Sequence, residues 1–529
     1  MKNIVVVLIA LFSVITGKTQ VLEQDSLALV AIFNNTNGTN WYNRQGWLNN
    51  NYPVGEWEGV TIRSNRVVRL AVGFNNLSGN IPAEIGDLDS LSFLDLSAST
   101  ILSIPESFGN LTSLDTLGFF TSLIDTLPPC IGSLTDLELF DFSFTQIRYL
   151  PTEIGNLINL KHLIGYDADL QSLPETLGNM TSLISIDFGL NNISNLPASI
   201  GNCTNLIKLW LNANNIPVIP ETIGNLTQLT ELVLGGNEMT ELPLSIFNLT
   251  ELKVLNFAAA NLTIIPPEIG NLINLENFQF FENEFTVIPY EIGNCTKLSY
   301  INGYSNKIES LPLSLLNLQE VGTLFLGYNS LTFGDIEPLV SINGFGYYHQ
   351  DSIGEKIDTT VLINTAFRLE IITDGAFNQY QWLKNGEPLM GATDFYLEFQ
   401  NLTYSDSGIY HCEITNSLAT GLTLFSRPVR INVTDIVNTD ENYNEYVNLE
   451  IYPNPAVERV IFSYSGTSSQ GNMELSLFDA QGALIIKHMS KNENHSIIDC
   501  SDLKSGMYFV QLSDTSNGKK STMKKLIVL

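Results

Sequence analysis

From residue 68 to residue 330 the apolar positions return every 23 residues. The recurring core reads LxxLxL. In the copy beginning at Leu206, Leu209 and Leu211 fall on one side and Lys208, Trp210 and Asn212 on the other, the period-two pattern of a short strand. Each strand is followed by a proline preceded by Ile or Leu, from Pro82 to Pro312 at a constant interval of 23. After each proline the apolar residues recur three apart, as at Ile223, Leu226 and Leu229, which predicts a helical or 3-10 turn on the far side. One repeat cannot bury its own leucines, so repeats must stack and share a core. One strand before each proline and one after the last give about twelve parallel strands. At ~4.8 Å each they form a wall on the order of 50 Å long.

The motif "xxIGNLxxLxxLxL" resembles the leucine-rich repeat family over about residues 22–350. The resemblance implies an α/β solenoid with a parallel concave sheet and a short helical or 3-10 convex side. It also implies a buried asparagine three residues beyond the last inward strand position, here Asn191, Asn214, Asn237, Asn283, Asn306 and Asn329. A carboxamide has the donors and acceptors to tie down neighbouring turns. Ser99, Ser122, Thr145, Ala168 and Ala260 interrupt that row, so the solenoid should be weaker there. Before the array, Trp41, Trp47, Trp57 and Gly59-Val60 resemble a plant-type N-terminal cap, with Gly55 and Ile62 standing where the cap's cysteine pair is expected. The tryptophans are expected to cover the open end of the leucine core. The segment "SLTFGDIEPLV" is expected to close the other end.

The 23-residue period then stops. In "YSDSGIYHCEITNS" Tyr410 and Cys412, with Trp382 upstream, resemble an immunoglobulin-like sandwich in which Tyr410 is the corner tyrosine and Trp382 the buried tryptophan. Ile371 occupies the place of the partner cysteine and should pack against Cys412 and Trp382. The last 80 residues or so resemble the C-terminal sorting domain of the type IX (Por) secretion system, through Tyr452-Pro453-Asn454-Pro455, Gly482, Gly506-Met507-Tyr508 and Lys524-Lys525. The resemblance implies passage through the outer membrane and a place on the cell surface or in the medium. At the other end, Lys2, the apolar run Ile4 to Ile15 and the small residues Gly17 and Thr19 read as a cleaved export signal. The expected organisation is a signal over 1–19, an N-terminal cap over 22–67 and repeats over 68–330. A C-terminal cap and linker follow over 331–352, then an immunoglobulin-like domain over 353–434, a linker over 435–448 and a sorting domain over 449–529. Two all-β sandwiches thus follow the solenoid.

Charge narrows the function. The chain carries 25 Lys and Arg against 55 Asp and Glu, a net −30. Nucleic acid is therefore excluded as a partner. No segment of the mature chain reaches the length of apolar residues needed to span a bilayer. The five histidines show no metal-ligand spacing, and no nucleophile elbow or phosphate loop occurs, so neither a catalytic residue nor a metal nor a cofactor is assigned. Cys203 and Cys295 each replace the Leu of the repeat in "GNCT" and lie four repeats apart, ~19 Å, too far for a disulfide. What remains is an exported binding protein. Large aromatics sit at outward strand positions, among them Phe93, Phe120 and Tyr166. The candidate ligand surface is Trp210, Phe281, Tyr300, Tyr304 and Phe325 on the concave face. Even offsets put the last four on one face, with Trp210 three strands before Phe281. A protein ligand is the first expectation and a glycan the alternative, with the type IX machinery as partner of the C-terminal domain.

Overall fold

Each proline of the 23-residue series closes an extended segment and opens a 3-10 turn. Pro220, at φ −69° and ψ 145°, precedes the turn Glu221–Asn225, and the other ten behave alike. Its fixed φ suits that junction, and its missing N–H removes no ladder bond. These features come from a computed structural model that describes residues 21–435 and residues 448–528 apart from 453, 455, 457–458, 466–471, 480–482, 492–494, 502 and 515–522. The export signal read at the N-terminus lies outside the described residues.

Twelve parallel strands, from Arg66–Ala71 to Thr323–Phe325, stack in register, so that Lys208 pairs with Glu231 and Glu231 with Val254. An antiparallel strand, Val60–Arg63, precedes them and a parallel one, Phe345–Gly346, follows, completing a 14-stranded sheet. Leu209, Leu211, Leu232 and Leu234 are fully buried, while Lys208, Trp210 and Glu231 are half-buried on the open face. Beyond each strand the chain turns through one left-handed residue. Phe74, Ala98, Thr121 and Phe144 do so at φ 49–56°, and the series continues to Tyr328 with Gly236 its one glycine. A non-glycine residue there costs on the order of 1–2 kcal/mol. In return it aims the next side chain into the core.

In the later repeats that next side chain is the ladder asparagine. Asn214 donates from Nδ2 to the carbonyls of Phe188 (2.8 Å) and Leu211 (3.0 Å), and its Oδ1 accepts the Ile193 N–H (2.9 Å). Asn191, Asn237, Asn283, Asn306 and Asn329 repeat the arrangement. Two further rungs escape the 23-residue rule. Asn75 exchanges hydrogen bonds with the Asn43 backbone, and Gln350 donates to Leu326 and Tyr347 and accepts from Leu331. Where the row is interrupted, buried groups go short: the Ser99 and Ser122 hydroxyls find no partner among the described residues. At Ala260 the Met239 N–H turns instead to the Asn237 carbonyl (2.9 Å).

Trp41, Trp47 and Trp57 are buried and stack in series on Phe33, with centroids 4.9–5.6 Å apart. Ile62 reaches over Gly55; a Cβ there would lie 3.0 Å from its Cδ1. At the other end Thr332 and Asp335 form a capping box on the helix Phe333–Ile336, whose Phe333 and Ile336 are buried. The segment expected to be cap and linker thus also supplies a strand and the last ladder side chain.

Residues Ile357–Leu362 to Val429–Thr434 form one sheet of six strands and one of two, mostly antiparallel. Trp382 and Cys412 are register partners and fully buried, Ile371 lies in the same core, and the Tyr410 hydroxyl donates to the Asp406 carbonyl (2.7 Å). This corner bond is the one immunoglobulin-type sandwiches use. The sandwich is fastened to the solenoid's end: Glu337 accepts from the N–H groups of Ala376 (3.0 Å) and Phe377 (3.1 Å) and from Asn416 Nδ2 (2.5 Å).

Residues 434–529 are a separate unit with a core of its own, around Phe462, Leu475, Val510 and Leu526. Among the described residues it holds one sheet of three strands and one of four. Asn454 clamps the last strand, donating to the Lys525 carbonyl (2.8 Å) and accepting from Ile527 N–H (2.9 Å). Pro453, Pro455 and Gly482 lie outside the described residues.

Candidate binding surface

Register turns sequence period into columns. Stacking at 23 residues places Asn277, Tyr300 and Thr323 in one column and Gln279, Asn302 and Phe325 in the next. Phe281 and Tyr304 are neighbours in a third, where the Glu282 N–H bonds the Tyr304 carbonyl. All of these outward side chains stand on a rigid sheet whose inward leucines fix its spacing.

Trp210 is pinned in place. Its Nε1 donates to Glu231 (3.1 Å), and Lys208, paired with the same carboxylate at 2.8 Å, sits 5.3 Å from the ring. Tyr300 meets Phe325 edge-on at 6.3 Å. Tyr304 instead packs against Tyr328 at 4.9 Å, and Tyr328 against His349 at 4.9 Å, with Tyr348 beyond at 6.4 Å. Burial and the neighbouring Tyr328 push the Tyr304 hydroxyl pKa up. Among the described residues no ring contact joins Phe281 to the others, so the five candidates form a pair, a cluster and two single side chains. Tyr328, Tyr348 and His349 were missed by strand alternation. Tyr328 occupies the left-handed turn position, where period two no longer applies, and Tyr348 and His349 lie past the last full repeat.

A second aromatic row lies on the early repeats. Phe74, Phe120, Phe144 and Tyr166 follow one another at 6.2, 5.2 and 5.5 Å. Phe120 and Tyr166 lie two residues beyond the strands Thr116–Gly118 and His162–Ile164, and Phe74 and Phe144 are again left-handed turn residues. Beside this row Asp95, Asp141 and Asp187 share one column on alternate strands. Burial raises the Asp187 pKa, a backbone bond from Gly189 opposes this, and the Asp141 charge adds to the rise. Phe93 lies beneath the Arg69 guanidinium at 3.3 Å. Among the described residues no three His, Cys, Asp or Glu side chains converge as a metal site requires.

Two family models match this chain. Residues 191–324 match a leucine-rich repeat region, and residues 450–529 match a secretion system C-terminal sorting domain. The solenoid is a leucine-rich repeat array. The sorting domain marks the chain for type IX secretion, to the cell surface or the medium. The leucine-rich repeat array shares its fold with the crystal structure of PEPR1-AtPEP1, at 25% identity and a TM-score of 0.56, over 64% of this chain and 49% of that one. A leucine-rich repeat protein of Leptospira interrogans is similar at 26% identity and a TM-score of 0.47, over 54% of this chain and 72% of that one. Phytosulfokine receptor 1 of Arabidopsis thaliana is 41% identical over 78 residues, 14% of this chain. The match spans 8% of that receptor's length. Among the described residues no helix is long and apolar enough to cross a membrane.

Proposed function

We propose that this chain is an exported, non-catalytic binding protein that recognises a protein partner through the concave face of its leucine-rich repeat array. The domain limits expected from the sequence go with this reading: a cleaved signal, a capped solenoid over 68–330, an immunoglobulin-like domain over 353–434 and a sorting domain over 449–529 that engages the secretion machinery. The observation that carries it is the solvent-facing aromatic surface on the last repeats. Tyr304 is 39% exposed, Phe325 37% and Tyr328 48%, on a sheet too rigid to fold them away. Exposed aromatics that cluster on rigid backbone are the usual anchors of protein interfaces. The ring contacts named above hold them in place before a ligand arrives, which reduces the ordering cost of binding.

The test is site-specific photo-crosslinking on cells that export the chain. A photoreactive phenylalanine analogue replaces Tyr304 in one variant and the convex-side Asn202 in another. The expected result is a protein adduct from position 304 and none from 202. Adducts from 202 alone would place the binding surface elsewhere. A glycan array run with the same protein separates the alternative: glycan binding without a protein adduct would mean that the aromatics stack on sugar rings.

A further inference from the structure

The early half of the concave face sets a row of aromatics beside a column of aspartates on alternate strands. Phe74 is 65% and Phe144 42% exposed, and with Phe120 and Tyr166 they form an unbroken row. Asp95, Asp141 and Asp187 stand in the adjacent column. Each uses Oδ1 to accept a backbone N–H two residues on, from Ser97 (2.9 Å), Ser143 (2.9 Å) and Gly189 (3.1 Å), which fixes its direction. Among the described residues none of the three forms an ion pair with Lys or Arg, whereas five Lys residues of this solenoid and sorting domain do find acidic partners. Between Asp95 and Asp141 the column holds Gly118, whose lack of a side chain leaves a notch; a Cβ there would lie 3.3 Å from Asp95 Oδ1.

The spacing selects a ligand shape. The three aspartates lie two strands apart, about 9.6 Å. A polyproline II segment has three residues per turn and a rise of ~3.1 Å, so every third side chain returns to the same face after about 9.3 Å. A β-extended segment repeats its face after ~6.8 Å and falls out of step within two strands. Proline-rich helices of this kind dock on aromatic surfaces, which supply flat apolar contacts for the rings.

We propose that the early concave face binds a cationic, proline-rich peptide segment in polyproline II conformation, with Lys or Arg at every third position. The cations meet Asp95, Asp141 and Asp187, and the intervening prolines lie on the row of Phe120, Phe144 and Tyr166. This rests on the reading of the concave face as a binding surface and adds the chemistry of the partner.

Fluorescence anisotropy of the secreted chain with labelled synthetic peptides tests it. The first peptide repeats Arg-Pro-Pro four times; the second has the same composition with its arginines grouped at one end; the third has glycine in place of proline. The first is expected to bind about tenfold or more tighter than either of the others. Asp141→Asn with Asp187→Asn should weaken it by about tenfold or more. Asp136→Asn with Glu251→Gln, which removes two charges elsewhere on the surface, should leave it unchanged. Phe144→Ser should weaken the first peptide and not the glycine one. Equal binding of the first two peptides, equal loss in the two charge-matched variants, or no saturation below about 1 mM would overturn the proposal. None of these measurements uses position 304, so crosslinking there succeeds or fails independently.

Discussion

Replacing Asn214 by alanine removes one rung of the ladder, and the structure says how much that rung holds. Asn214 is 4% exposed, and three strong hydrogen bonds pass through its carboxamide. Two of the three partners are insured. The Phe188 carbonyl also accepts from Asn191, and the Leu211 carbonyl from Asn237. The Ile193 N–H is not: Oδ1 of Asn214 is its acceptor. The cost is therefore that of one orphaned buried amide, about 1–3 kcal/mol, with smaller additions from the two carbonyls. Ala260 shows the available relaxation, since the equivalent Met239 N–H bends to the carbonyl two residues back. If Ile193 does the same, the loss falls towards 1 kcal/mol; if not, it approaches 3. Asn215→Ala is the control: its side chain is exposed, and its N–H keeps the Ile193 carbonyl, so it should change stability by less than about 0.5 kcal/mol. Urea melts give the two losses, and hydrogen exchange at the Ile193 amide gives the mechanism. Equal losses in the two variants, or an Ile193 amide as protected in Asn214→Ala as in the wild type, would refute the reasoning.

The junction between solenoid and sandwich should be acid-sensitive. Burial alone would raise the Glu337 pKa, but the N–H groups of Ala376 and Phe377 and the Asn416 amide outweigh it, so the folded value is lowered. A lowered carboxylate contributes stability above its unfolded pKa and loses it as pH falls through the folded one. Glu337→Gln should therefore flatten the acid limb of a thermal melt followed from pH 7 down to about pH 3, and an unchanged limb would count against this role. Burial holds the Cys203 and Cys295 thiols up at about 11 and about 12, so both should resist alkylation in the native protein at pH 8 and react on unfolding. All five cysteines are free, and an intact bridge in non-reducing mass spectrometry would contradict this. Removing residues 449–529 should leave a folded solenoid retained in the periplasm; normal amounts in the medium would give the C-terminal unit another role.

The parts of the fold that follow from a fixed period were legible. Leu209 and Leu232 occupy one place in two repeats, so their burial and the strand register came from counting. Asn75 and Gln350 were not legible, because the intervals to their neighbours are 24 and 21 residues. Both sit at the solenoid's ends, where the repeat yields to cap geometry. Alternation put Phe281, Tyr300, Tyr304 and Phe325 on one face, but ring contacts depend on side-chain torsions that no spacing encodes, and Phe281 stands apart. The larger omission was the left-handed column. Phe74, Phe144 and Tyr328 point out of the strand end because the backbone there has φ near +55°, a conformation that a Phe or Tyr gives no sign of in sequence.

The account's central claim is that the concave aromatic surface binds. The most direct measurement is the affinity of the partner identified by crosslinking for the wild type and for Tyr300→Ala with Tyr304→Ser, beside the melting curve of each. Loss of two aromatic anchors should cost about 2 kcal/mol or more, roughly a thirtyfold rise in Kd, while the melting temperature stays within about 2 °C. An unchanged Kd with a lowered melting temperature would show that these side chains stabilise the sheet and bind nothing.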